Sequence, residues 1–172
     1  KISTGSGFVY KKDDKLGYIM TNNHVVDGAD KVEVVMSNNE TVEATILGKE
    51  TYSDIAVLSI NKDKVLSVLE IGDNSKMKLG DTVFTIGAPM GLEYSGTVTK
   101  GILSGKDRMV EVSFSGSTSD YYMKVLQTDA AISPGNSGGP LLDVNGAVIG
   151  INSLKLVKDE VEGMGFAIPI EN

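Results

Sequence analysis

The run Gly135-Asn136-Ser137-Gly138-Gly139-Pro140 is the stretch from which the rest of the chain is best read. A serine set among glycines suits a tight, exposed turn, because glycine adopts backbone angles closed to other residues and lets a second backbone approach closely. The same run offers backbone N–H groups that can aim at one point, which is what holding an oxyanion requires. It is equally compatible with a Gly-rich hairpin loop carrying an incidental serine, so its meaning depends on what surrounds it.

Around it lies a chain built for strands. The 172 residues are 41% hydrophobic, enough to bury a core, and include 20 glycines. Short runs rich in Val, Ile and Thr recur between turn signals, which points to an all-β sandwich or barrel rather than a helical bundle. The pattern predicts strands at 6–11, 17–21, 31–37, 41–50, 55–60, 82–88, 96–106, 110–114, 124–128, 140–143, 147–155 and 165–169. His24–Asp27 reads as one short helical turn. Val144-Asn145-Gly146-Ala147 reads as a hairpin with a two-residue type I′ turn. The polar stretch Gly72–Gly80 is the expected seam between an N-terminal half, 1–80, and a C-terminal half, 81–172. Gly116–Asp120 and Lys155–Gly163 read as surface loops.

The net charge of −7 argues against nucleic acid as the main partner, since phosphate binding needs a basic face. With no Cys and a single His, disulfides and thiolate metal sites are excluded and a metal site of any other kind is not expected. No apolar run reaches the roughly 18 residues of a membrane helix. The chain begins at Lys1 and is expected to be an excised piece, with any targeting segment upstream.

Two further residues give Ser137 its context. His24, the lone histidine, stands in Thr21-Asn22-Asn23-His24-Val25-Val26, just after an apolar strand. Asp54 stands in Ser53-Asp54-Ile55-Ala56-Val57-Leu58 and opens another. Either residue alone reads as readily as a structural group: a strand-end histidine, or a turn carboxylate capping nearby N–H groups. Together they supply what a serine nucleophile needs, a base to take its proton and an acid to hold that base. The order His, Asp, Ser is the chymotrypsin-type order; hydrolase-fold and subtilisin-type enzymes use others.

These three blocks resemble the catalytic blocks of the HtrA/Deg serine proteases. Gly5-Ser6-Gly7-Phe8 resembles that family's first strand. Blocks at 85–89, 97–102 and 127–132 resemble its second-barrel segments, and those at 150–152 and 163–169 resemble the end of its protease domain. The resemblance implies a trypsin-like fold of two six-stranded antiparallel β-barrels. His24 and Asp54 would come from the first, Ser137 from the second, and the site would lie between them.

It further implies a serine endopeptidase acting on unfolded or misfolded polypeptides without a cofactor, in extracytoplasmic quality control. The catalytic residues would be His24, Asp54 and Ser137. The oxyanion hole would be formed by Gly135 and Ser137, with Asn136 shaping its turn. Ile132, Ile151 and Asn152 match positions lining the specificity pocket. Ala131 stands where trypsin-like enzymes carry an acid, so a small aliphatic residue is expected before the scissile bond. The segments 108–122 and 155–163 resemble the family's activation loops. By the same resemblance the full-length protein is expected to form a homotrimer, to carry a PDZ domain after this chain, and to be membrane-anchored or at the cell surface, with the periplasm as the alternative. A competing reading is a protease-fold chaperone that holds unfolded segments with little turnover.

Overall fold

β-branched and apolar residues alternate along β1 (Phe8–Lys12), β2 (Leu16–Thr21), β3 (Val32–Val35), β4 (Thr41–Glu50) and β5 (Ile55–Asn61). This period of two gives each strand one buried face. The computed structural model describes residues 2–113, 120–156 and 161–171. The five strands form one antiparallel sheet in the order β1-β2-β5-β4-β3, with Gly17 opposite Ile60 and Ile19 opposite Leu58. Ile19, Val26, Val42, Ala56, Leu58 and Ile60 form its buried apolar cluster.

The expected first barrel is therefore an open five-stranded sheet, not a closed six-stranded one. Closure needs every strand to pair along both edges, and the two outer strands are the short ones, of five and four residues. The free edge of β1 is met instead by the linking segment, through the Leu69 N–H donating to the Val9 carbonyl at 2.9 Å.

The C-terminal half closes into a six-stranded barrel in the order β10-β11-β8-β7-β6-β9. Its strands are β6 (Thr82–Gly87), β7 (Thr97–Ser113), β8 (Asp120–Thr128), β9 (Pro140–Leu142), β10 (Val148–Asn152) and β11 (Gly165–Pro169). The two strands expected over 96–106 and 110–114 are one 17-residue strand. The polar stretch between them is a bulge, with a register shift between Gly105 and Arg108 and Asp107 at φ +52°. The strand expected at 147–155 stops at Asn152, and Leu154–Leu156 forms a single 3-10 turn. The 143–147 hairpin is not type I′, because Gly146 (φ +79°) has positive φ and Asn145 does not. The Gly146 N–H donates to the Asp143 carbonyl at 3.1 Å, giving a type I turn closed by a glycine in the left-handed region.

One apolar cluster joins the halves. Phe8, with Tyr10, Met20 and Ile55 beside it, packs against Val112, Met123, Val125, Ile151 and Ile168 of the barrel. Close packing of this kind leaves side chains little room to shift. It sets the distance from the end of β2 and the start of β5 to the loop before β9. No described helix is long and apolar enough to cross a membrane.

Candidate active site

His24 lies in α1 (Asn23–Val26), the single helical turn that begins where β2 ends. Asp54 ends the turn leading into β5 and takes φ +56°, a left-handed conformation that Asp tolerates better than most residues. Two clamps hold that turn. The Glu50 carboxylate accepts from the Tyr52 N–H at 3.1 Å and the Ser53 N–H at 2.5 Å, and these bonds draw its pKa below the ordinary value. From the barrel, the Tyr121 hydroxyl donates to the Tyr52 carbonyl at 2.8 Å, with the two rings edge to face at 5.5 Å. Burial, followed by the negative charge of Asp54, raises the Tyr121 pKa, so the phenol stays a donor.

Asp54 is completely buried, and its carboxylate is fully engaged. Oδ1 accepts from the His24 N–H at 2.9 Å; Oδ2 lies 2.6 Å from His24 Nδ1 and accepts from Ser153 Oγ at 3.1 Å. Its own carbonyl accepts from the Asn23 N–H at 3.1 Å and from Asn22 Nδ2 at 3.0 Å. A carboxylate against Nδ1 selects the tautomer with the proton on Nδ1 and leaves Nε2 as a base. The His24 side chain is 32% exposed, so the ring is open on one side while its partner is sealed.

Ser137 sits in a loop whose carbonyls are all accounted for. Those of Ser133, Pro134 and Asn136 accept from the N–H groups of Asn136 (2.9 Å), Met90 (2.8 Å) and Gly139 (2.9 Å), and that of Ser137 accepts from Ser6 (2.8 Å). The Gly135 carbonyl accepts from Ser6 Oγ at 2.6 Å. In a trans peptide the C=O and the N–H point in opposite directions. Pinning Pro134 C=O on Met90 therefore turns the Gly135 N–H the other way, and pinning Asn136 C=O on Gly139 does the same for the Ser137 N–H. Among the described residues neither N–H has a protein acceptor. Two free donors flanking Asn136 can chemically serve a negatively charged oxygen. Gly135 has φ +100° and lies against the Ala88 carbonyl, which leaves no room for a Cβ.

Ser137 is 6% exposed. Its hydroxyl oxygen accepts from the Leu154 N–H at 3.0 Å; among the described residues it has no hydrogen bond to His24. A hydroxyl that accepts one bond keeps its own proton to give elsewhere.

Ile132 is half-buried and lies against Gly165 of β11, where a side chain would collide with it. Ile151 and Asn152 are wholly enclosed. Ile151 belongs to the shared apolar cluster. Asn152 acts through its backbone, its N–H on the Gly139 carbonyl and its carbonyl under the Gly138 N–H, both at 2.9 Å. Asp129 accepts from the Ile102 N–H at 2.7 Å. Of the expected activation loops, residues 114–119 and 157–160 lie outside the described residues. Among the described residues no group of three or more His, Cys, Asp or Glu side chains is placed to hold a metal ion.

Sequence reasoning missed Ser153, Tyr121, Leu154 and the part played by Ser6. Gly5-Ser6-Gly7 is visible as a motif, but only the fold brings it to a loop 129 residues away.

A closed β-barrel packed on a β-sheet, with a histidine–aspartate pair from one and a glycine-flanked serine from the other, defines the class. Residues 5–151 match the family model described as a trypsin-like peptidase domain, and the chain belongs to that family. Within it the chain is of the HtrA type. It is 52% identical over 164 residues to the serine protease Do-like HtrB of Bacillus subtilis, and 50% identical over 167 residues to that organism's serine protease Do-like HtrA. The alignments cover 95% and 96% of this chain but 35% and 36% of those proteins, so it spans about a third of their length. Among solved structures it resembles the HtrA-type protease AlgW with decapeptide, at TM-score 0.81 and 36% identity over 97% of this chain and 48% of that one. The serine endoprotease from Yersinia pestis gives 0.79 and 38% over 97% and 53%.

Proposed function

We propose that this chain is the catalytic domain of a serine endopeptidase that hydrolyses unfolded polypeptides through an acyl-enzyme. The observation that carries the reading is the fully buried Asp54 carboxylate 2.6 Å from Nδ1 of the only histidine. A buried charge of that kind is costly unless it is paired, and here its partner is a base left open on the other side.

Ser137 Oγ attacks the scissile carbonyl carbon while His24 Nε2 takes its proton. The carbonyl electron pair moves onto oxygen, where the N–H groups of Gly135 and Ser137 hold the charge. The C–N bond then breaks, and the leaving amine takes the proton from His24. Water, deprotonated by His24, attacks the ester in the same way, releasing the acid and restoring Ser137. Asp54 stabilises the imidazolium in both halves.

For specificity, Ile132 over Gly165 favours a small aliphatic residue (Val, Ala, Leu or Ile) before the scissile bond, with Ile151 and Asn152 supporting that surface from beneath. Ala131, where trypsin-like enzymes place an acid, gives a basic side chain no counter-ion. A peptide-library cleavage profile tests this: preference for small aliphatic residues supports it, and dominance of Lys or Arg overturns it. Loss of casein cleavage in Ser137→Ala with the fold intact is the matching result for the nucleophile.

The halves are proposed as 1–80, carrying His24 and Asp54, and 81–172, carrying Ser137. For the longer protein, resemblance to the HtrA type supports an extracytoplasmic, membrane-anchored quality-control protease, trimeric and with a PDZ domain.

A further inference from the structure

We infer that Ser6 is a positioning residue for the oxyanion hole, a role that rests on reading Ser137 as the nucleophile. Ser6 belongs to the N-terminal half, yet two of its atoms, the hydroxyl oxygen and the backbone nitrogen, act on the loops of the other half. Its hydroxyl donates to the Gly135 carbonyl at 2.6 Å and accepts from the Ala88 N–H at 3.1 Å. Its N–H donates to the Ser137 carbonyl at 2.8 Å. Its own carbonyl accepts from Thr21 Oγ1 at 2.7 Å, at the end of the strand that leads to His24.

Among the described residues Ser6 is the only side chain that bonds a carbonyl of residues 134–137. The other carbonyls there are held by backbone N–H groups, which no substitution other than proline removes. The Gly135 carbonyl is the exception. It belongs to the peptide between Gly135 and Asn136, which lies between the two free donors. Released, that peptide can rotate, and both donors move with it. A hydroxyl suits the place because it donates to one loop and accepts from another at once. In one bond chain it links Ala88, whose loop provides the Met90 N–H that holds Pro134, to Gly135.

The neighbours of Ser6 show how closely the segment is threaded. A Cβ on Gly5 would lie 2.6 Å from Val25 beside His24, and one on Gly7 would lie 3.0 Å from the Met20 carbonyl. Ser6 is thereby held between the segment that carries the base and the loop that carries the nucleophile.

A group that shapes only the oxyanion hole affects the transition state more than substrate binding. In Ser6→Ala we expect kcat on a peptide substrate to fall about 10- to 100-fold, below the loss of a whole donor, with KM within about threefold. Affinity for a peptide boronic acid, whose tetrahedral adduct uses the same donors, should weaken in parallel. Ser6→Thr, which keeps the hydroxyl, should recover most of kcat. Should Ser6→Ala fail to fold, Ser6→Cys is read the same way, its thiol being a weaker donor.

The proposal is overturned if kcat stays within twofold of the parent, if boronate affinity is unchanged, or if the kcat loss tracks only the folded fraction measured by melting. Ser137→Ala is assayed alongside. If it retains activity, the reading of the site fails; if it is inactive while Ser6→Ala is unaffected, only the role of Ser6 fails.

Discussion

Gly135→Ala puts the pinned-carbonyl geometry under the sharpest test. At φ +100°, alanine occupies a region that costs an L-residue roughly 1–2 kcal/mol. The new Cβ would also press on the Ala88 backbone, lying 3.0 Å from its carbonyl carbon and closer still to its oxygen, with the Met90 nitrogen at 3.3 Å. These are backbone atoms in a bonded loop, so the 134–136 segment has to yield. A displacement on the order of 1 Å is enough to misplace a catalytic group at a cost of about 100-fold. The group that moves is the Gly135 N–H, and loss of one oxyanion donor costs about 100- to 1,000-fold in kcat, ~3–4 kcal/mol. The two effects describe one lost bond and do not add. We therefore expect kcat to fall by about two to three orders of magnitude with KM within a fewfold, read by steady-state hydrolysis of a fluorogenic peptide. The backbone strain should lower the melting temperature by about 2–8 °C for a chain of this size. A variant within tenfold of the parent kcat, melting at the parent temperature, would show that the Gly135 N–H is not an oxyanion donor.

Asp54→Asn keeps the shape of the buried side chain but places an amide against His24 and Ser153. The Nδ1 tautomer is no longer selected, and kcat should drop by about 10⁴ while circular dichroism stays unchanged; retention of a tenth of the activity would count against the pair. At the β1–β2 turn, Asp13 is held at a pKa of about 2 by the Tyr18 hydroxyl and then by the Leu16 and Lys15 N–H groups. A depressed folded-state pKa gives stability that is present above the unfolded value and lost as pH falls through the folded one. The melting-temperature gap between the parent and Asp13→Asn should therefore be constant above about pH 5 and close between about pH 4 and 2. A gap that is flat across that range contradicts the hydrogen-bonded turn.

The three candidate residues stood out because each sits in a local context that chemistry constrains: a serine among glycines, a histidine at a strand end, an acid before a buried strand. The strands were legible because alternation is a local property. What escaped was set by long-range pairing. Whether the first sheet closes depends on the lengths of β1 and β3 and on what covers their outer edges, which no window of sequence reports. The break read between 106 and 110 is a bulge because β8 keeps pairing across it, although Gly105-Lys106-Asp107 carries turn residues. Ser153 and Tyr121 reach the Asp54 region only through the fold, and Ser6 reaches Gly135 in the same way. The turn at 143–146 departs from type I′ for a local reason: Asp143 Oδ1 takes the Asn145 N–H at 2.8 Å and the Ala147 N–H at 3.0 Å, which favours type I.

In the proposed mechanism Ser137 reacts because His24 and Asp54 activate it. The most direct measurement is labelling with a peptide phosphonate, followed by mass spectrometry of the digested protein. We expect one adduct per chain on the peptide containing Ser137, absent in Ser137→Ala and formed at least a hundredfold more slowly in His24→Ala. An adduct on another residue, or labelling of Ser137 at an unchanged rate without His24, would contradict it.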